Sequence, residues 1–242
     1  MKSLKPKNQP FPAPPFSSGN TSPLRNTIVF PASLRHDFFV SFVSQMTSIL
    51  EKQKQNNESS PVNILINSQG GCLRTAFALR NYISSLRKQG VIIRTIVPSF
   101  AYSAGLYIAA SGSKGYRLAY PEAELMVHAI QSFLFGDFYS DVKKNYKRLS
   151  RDMKIYLSSL AFEMAKDENN EVTRENHLAT LNSLEQMCQN NGTWLNAQEA
   201  KEKGFIDQVT TPLFKPQKKQ KMDFGLQDLF SFEPDPCYGD EE

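Results

Sequence analysis

Between Asn26 and His128, short runs rich in β-branched residues alternate with stretches whose apolar residues recur at helical spacing. No feature of the chain constrains its fold more. NTIVF (Asn26 to Phe30), closed by Pro31, has the composition of a strand. Phe38, Phe42, Val43, Met46, Ile49 and Leu50 then fall on one helical face and run into the polar EKQKQNNESS. VNILIN (Val62 to Asn67) is apolar at successive positions, as strands buried on both faces are, and SQGG follows it. Ala76, Phe77, Leu79, Arg80, Ile83 and Leu86 mark a second amphipathic helix ending near Gly90, and VIIRTIV (Val91 to Val97) a third strand. Ser103 to Ala110 has helix-forming composition, and ELMVH (Glu124 to His128) reads as a fourth strand. Strands joined through helices become parallel neighbours with right-handed crossovers, so the order β-α-β-α-β-α-β predicts an α/β fold.

Beyond His128 the pattern changes. Val142, Tyr146, Leu149, Met153, Tyr156, Leu157 and Leu160 lie on one face of a helix spanning roughly Asp137 to Lys166, too long for a simple crossover. WLNAQEAKEKGFIDQV (Trp194 to Val209) reads as a cap at Asn196, a short helix stopped at Gly204 and a last strand. The ends differ from this body. Residues 1–25 are rich in Pro, Ser and Asn, with too few apolar side chains to offset the entropy of ordering, and are expected to be disordered. The folded domain is then 26–211. Residues 212–242 form a basic and then acidic tail expected to be mobile, in which FGLQDLFSF (Phe224 to Phe232) has enough apolar residues to dock on a partner.

Composition excludes several function classes. The formal charge of +4 comes from Lys and Arg scattered among acidic residues, without the basic stripe and interleaved aromatics of a nucleic-acid binder. No run approaches the ~18 apolar residues of a membrane span, and Pro and Lys stand where a signal peptide would be apolar, so a cytoplasmic protein is expected. Cys72, Cys188 and Cys237 are widely spaced and match neither a disulfide framework nor a zinc site. Neither a metal nor an organic cofactor is expected.

Chemistry is concentrated at two places. Ser103 stands in SFAYSAG and His128 in MVHA. A serine hydroxyl is a poor nucleophile until a histidine takes its proton, and the oxyanion that then develops needs backbone donors. Gly70 and Gly71 follow a buried strand, Ser103 opens a helix and His128 ends a strand, all at the carboxyl ends of strands, where sites of open α/β folds collect. AYSAG lacks the first glycine of a G-x-S-x-G nucleophile elbow, which disfavours an α/β-hydrolase.

ILINSQGG, VPSFAYSAGLYIAASGSKGYRLAYPEAELMVHAI and WLNAQEAKEKGFID resemble, in order, successive signatures of the Clp protease proteolytic subunit family, over about Asn26 to Val209. The resemblance implies a ClpP/crotonase-like fold of repeated β-α units with a parallel sheet and a long handle helix. It implies a serine endopeptidase with Ser103 as nucleophile, His128 as general base, and the Gly71 and Ala104 N–H groups as oxyanion hole. Peptides or unfolded proteins would be the substrates, and copies of the chain would form a ring. The chain departs from the family at the triad aspartate, whose place is taken by Gly192. Asn190, Asn191 or a carboxylate such as Asp167 are the substitutes to consider. QSFLFGDF (Gln131 to Phe138) replaces the family's glycine-rich strand, and its Phe133, Leu134, Phe135 and Phe138 suit a subunit contact. The Pro-rich start replaces the lead into an axial loop, which argues against docking to an AAA+ unfoldase. The WLNAQEA block is also compatible with a phage-type head-maturation or signal-peptide-degrading relative. Two other readings remain: a non-catalytic subunit of a mixed ring, motivated by Gly192, and a crotonase-type acyl-CoA enzyme that would use Glu122 or Glu124.

Overall fold

In a computed structural model, residues 26–131 and 139–210 are described. The expected core is built first from β1 (Thr27–Phe30), α1 (Phe38–Gln55), β2 (Val62–Ile66), α2 (Leu73–Lys88) and β3 (Ile93–Val97). Alternation sets what each strand buries. In β2, Val62, Ile64 and Ile66 are fully buried, and in β1 Ile28 and Phe30 are buried while Val29 between them is exposed. Both helices turn one stripe inward: Phe42 and Met46 from α1, and Ala76, Leu79, Ile83 and Leu86 from α2.

These strands belong to a five-stranded sheet of order β1-β2-β3-β5-β8, with β5 at Arg117–Ala119 and β8 at Gln208–Val209. Every pairing in it is parallel. The α/β architecture with a parallel sheet is therefore as expected from the pattern. A second sheet of three strands was not expected. It is formed by β4 (Phe100–Tyr102), β6 (Glu124–Val127) and β7 (Thr193–Asn196), with β4 and β6 parallel and β7 antiparallel to β6. Glu124 to His128 thus lies outside the parallel sheet that alternation alone assigned it to. A bridge between Ser68 and Ala101 connects the extension of β2 to β4.

Between β4 and β5 the short helix α3 (Ala104–Ala109) is wholly buried. The long helix is α4 (Tyr139–Met164), and α5 (Arg174–Met187) packs on it, with His177 Nε2 3.1 Å from the Ser158 carbonyl and the His177 ring edge-on to Phe162. Glu163 anchors the end of α4 to α2: its carboxylate receives Arg80, Arg87 at 3.1 Å and Lys166 at 2.5 Å. Asn196 caps α6 (Ala197–Glu202) through a capping box with Glu199, as its sequence predicts. Phe133, Leu134, Phe135 and Phe138, both tails and Phe224 to Phe232 lie outside the described residues.

Candidate active site

Consecutive strand ends form a row. Leu34 bridges Gly71 in parallel, with Leu34 N–H donating to the Gly70 carbonyl at 2.6 Å and Cys72 N–H to the Leu34 carbonyl at 2.8 Å. Next to Gly70 is the turn that ends β4. A Cβ on Gly70 would stand 2.8 Å from Ala104 N and 2.9 Å from Ser103 Cβ, so only glycine lets the two segments approach this closely. On the far side of Ser103 is β6: the register pairs Tyr102 with Met126, and Ser103 N–H donates to the Met126 carbonyl at 2.9 Å. His128 follows directly on that strand. Beyond it Val127 pairs with Thr193 of β7, and Gly192 lies against His128.

Ser103 has φ 55 and ψ −120, a left-handed conformation rare for a residue with a side chain. It sits between β4 and α3, so a sharp strand-to-helix turn carries its half-buried side chain. Strain of this kind persists where the surroundings hold it, and here the Met126 hydrogen bond, the Gly70 contact and the Tyr107 N–H bonded to the Ser103 carbonyl at 3.1 Å do so. The Ala104 N–H opens α3, and the Gly71 N–H lies outside its bridge to Leu34. Among the described residues neither donates to a backbone acceptor. Free N–H groups on either side of a serine are what an oxyanion requires.

The structure brings Ser103, Ala104, Gly71 and His128 onto neighbouring segments, but no hydrogen bond joins Ser103 to His128 among the described residues. Among the described residues His128 Nδ1 is buried without a partner. The candidates for that partner do not supply one. Gly192 has φ +96, and a Cβ there would fall 2.4 Å from the Val127 carbonyl oxygen and 2.6 Å from His128 Cβ. Asn190 and Asn191 also have positive φ, at 51 and 73, in the tight turn that brings Gly192 against the Cα and Cβ of His128. Asp167 is exposed, and its Oδ1 accepts the N–H groups of Asn169 and Glu171 at 2.9 and 2.8 Å.

Glu124 stands at the other end of β6, about 13 Å along the strand from His128, and Glu122 lies in the turn before it. Glu124 is engaged there by the Tyr102 hydroxyl at 2.6 Å, a bond that, helped by burial, pushes the phenol up to about 12. Sequence reading gave no sign of the link that fixes α4 beside the row. Arg74, in the first turn of α2, pairs with buried Asp152 of α4, and the Ile130 N–H donates to Met153 Sδ at 3.4 Å. Arg74 and Asp152 are distant in sequence and carry no spacing that marks them as partners.

The model of the family described as Clp protease matches residues 24–212. The chain belongs to the Clp protease family. Its mixed α/β architecture with a mostly parallel sheet agrees with that assignment, and Clp protease membership makes it a peptidase relative, of a family whose members degrade peptides and form oligomeric rings. No helix among the described residues is long and apolar enough to cross a membrane. Among the same residues no group of three or more His, Cys, Asp or Glu side chains is arranged to hold a metal ion.

Proposed function

We propose that this Clp protease relative is a serine endopeptidase working through a Ser103 and His128 pair, without the aspartate of a triad. Ser103 Oγ attacks the peptide carbonyl while His128 Nε2 takes its proton. The Gly71 and Ala104 N–H groups hold the oxyanion. Collapse of the tetrahedral adduct expels the amine, which receives the proton back from His128, and water then releases the acyl group by the same route in reverse. The observation that carries this reading is the contact of Gly70 with Ser103 and Ala104, which sets free N–H groups on both sides of a serine held in a strained turn. Unfolded peptides are the substrates, and a ring of copies is the working form.

The orphaned His128 Nδ1 sets the pace. Breaking the Asp to His contact in a triad enzyme lowers kcat by about 10⁴, because the ring loses the correct tautomer and the stabilised imidazolium. A slow hydrolase is expected. The test is a fluorophosphonate probe applied to the full-length protein at neutral pH, since it reports an activated serine without knowledge of the substrate. Labelling of the wild type that disappears in Ser103→Ala and His128→Ala supports the pair; labelling that survives either change refutes it.

A second reading, a non-catalytic subunit that modulates an active relative in a mixed ring, is favoured by the same unpartnered nitrogen and by Gly192. It predicts no labelling of the assembled protein.

A further inference from the structure

Positive charge outnumbers negative at the amino ends of β3 and β5. Arg80 and Arg87 of α2 and Lys166, just past α4, share the single carboxylate of Glu163. Lys114, in the turn before β5, shares Asp207 with Arg117. Arg117 Nη1 joins the two clusters by donating to the Glu163 carbonyl at 3.1 Å. Five cations thus face two carboxylates, and none of the five side chains is more than 21% exposed. Like charge withdrawn from water costs free energy unless something offsets it. Burial pushes the Lys166 ammonium down; Glu163 opposes this, and Arg87 and Arg117 add to it.

A cavity of about 430 Å³ opens beside this surplus, between the end of α2, the turn before β5 and the end of α4 with the residues after it. The Gly70 to Ser103 row follows the opposite, carboxyl end of β2, so the cavity is separate from it. Arg87, Lys114 and Lys166 line the cavity, with exposed Lys88, the Ser84 hydroxyl and the Phe162 ring. Two carboxylates also line it: Glu163, already bound by three cations, and Glu168, which is exposed and forms no ion pair among the described residues. Among those residues Arg87 uses only Nη1, on the Ser111 carbonyl at 2.9 Å and on Glu163 at 3.1 Å, so Nε and Nη2 are unused donors.

We propose that this cavity is a binding site for a small phosphate-bearing molecule. A phosphate group carries about −1.5 to −2 at neutral pH, so it offsets a multiple surplus that a monocarboxylate meets only in part. The planar Arg87 guanidinium presents paired N–H donors suited to phosphate oxygens, while Lys114 and Lys166 act as point charges. The volume fits a small ligand, since such cavities span about 300–1,000 Å³. Binding here is independent of Ser103 chemistry.

The test is calorimetric titration of the full-length protein with inorganic pyrophosphate at neutral pH and about 0.15 M salt, where exposed charges are largely screened. Saturable binding is expected, with acetate bound at least about tenfold more weakly. Lys114→Gln should weaken pyrophosphate by about tenfold, the worth of one charge-assisted hydrogen bond. Glu168→Gln, which removes an exposed carboxylate, should tighten it by about threefold. A damaged fold would not produce that gain. Lys201→Gln removes a positive charge from an exposed position on α6, outside the cavity lining, and should leave binding unchanged. The proposal is overturned by an absence of saturable binding, by acetate bound as tightly as pyrophosphate, by equal weakening in Lys114→Gln and Lys201→Gln, or by loss of affinity in Glu168→Gln.

Discussion

Gly192→Asp is the substitution that sequence comparison invites, because it returns a carboxylate to the family's triad position. The structure predicts that it fails. A Cβ at residue 192 would meet the Val127 carbonyl oxygen at 2.4 Å and His128 Cβ at 2.6 Å, roughly 1 Å inside the ordinary contact of about 3.5–4.0 Å. Neither neighbour is the loose end of a side chain: one is backbone of β6 and the other is the root of the catalytic candidate itself. The backbone at φ +96 adds its own penalty, about 1–2 kcal/mol for a side chain in a left-handed conformation. Forcing atoms into a packed site costs about 1–3 kcal/mol more. The total, about 2–5 kcal/mol, lowers the urea midpoint by about 1–2 M for an m value of about 2–3 kcal/mol/M. Urea unfolding of wild type, Gly192→Ala and Gly192→Asp at one protein concentration measures it, since assembly makes stability depend on concentration. Most of the loss should already be present in Gly192→Ala, because the clash belongs to Cβ. Fluorophosphonate labelling of Ser103 should not rise in Gly192→Asp. An aspartate variant as stable as wild type with faster labelling would refute the steric reasoning.

Ser103→Gly should remove labelling yet stabilise the fold. Relief of the left-handed strain, about 1–3 kcal/mol, exceeds the about 0.4–1 kcal/mol of chain entropy that glycine adds to the unfolded state. A net gain of about 1 kcal/mol is expected by urea denaturation, and a loss would show that the turn is not strained. Burial works against ionisation of Asp207, but the hydrogen bonds and charge of Arg117, with Lys114 beyond, hold its carboxyl below the usual range. A carboxyl lowered by folding stabilises the protein above the unfolded aspartate value of about 3.9, and this is lost as pH falls through the lower folded value. Asp207→Asn should therefore flatten that part of the acid-unfolding curve, and at neutral pH cost about 3–5 kcal/mol by leaving buried Arg117 without its counter-charge, although its bonds to the Glu163 and Gly204 carbonyls remain. An unchanged acid limb would count against it.

Strongly patterned segments were legible in the sequence. The runs at Asn26 to Phe30 and Val62 to Asn67, and the stripes of α1 and α2, each repeat a burial period that local chain geometry imposes, and each appears within a few residues of its expected bounds. The bounds of α4 are also close, but of its expected stripe only Tyr156, Leu157 and Leu160 are buried and Tyr146 is exposed. The cap at Asn196 is legible for the same reason, since a cap acts within one turn, and the structure adds Glu199 as its reciprocal partner. Other elements were missed because their burial is not periodic. In β5, buried Arg117 is neutralised by Asp207, which lies far along the chain. α5 buries only Leu184 and Met187, too few for a stripe. β4 is three residues long.

The same division applies to the site. By itself the sequence determined that Ser103, His128 and the Gly70-Gly71 pair fall where strands end, because strand and helix periods are local properties of the chain. Family likeness added the roles. Only tertiary structure decided that β4, β6 and β7 form a sheet of their own, that Gly70 lies against Ser103, that Arg80, Arg87 and Lys166 share Glu163, and that a side chain at Gly192 would strike the backbone of β6. Those facts depend on strand register and on distances of a few ångströms between segments remote in sequence. No periodicity encodes them, so they emerge only when the packed chain fixes which backbone atoms meet.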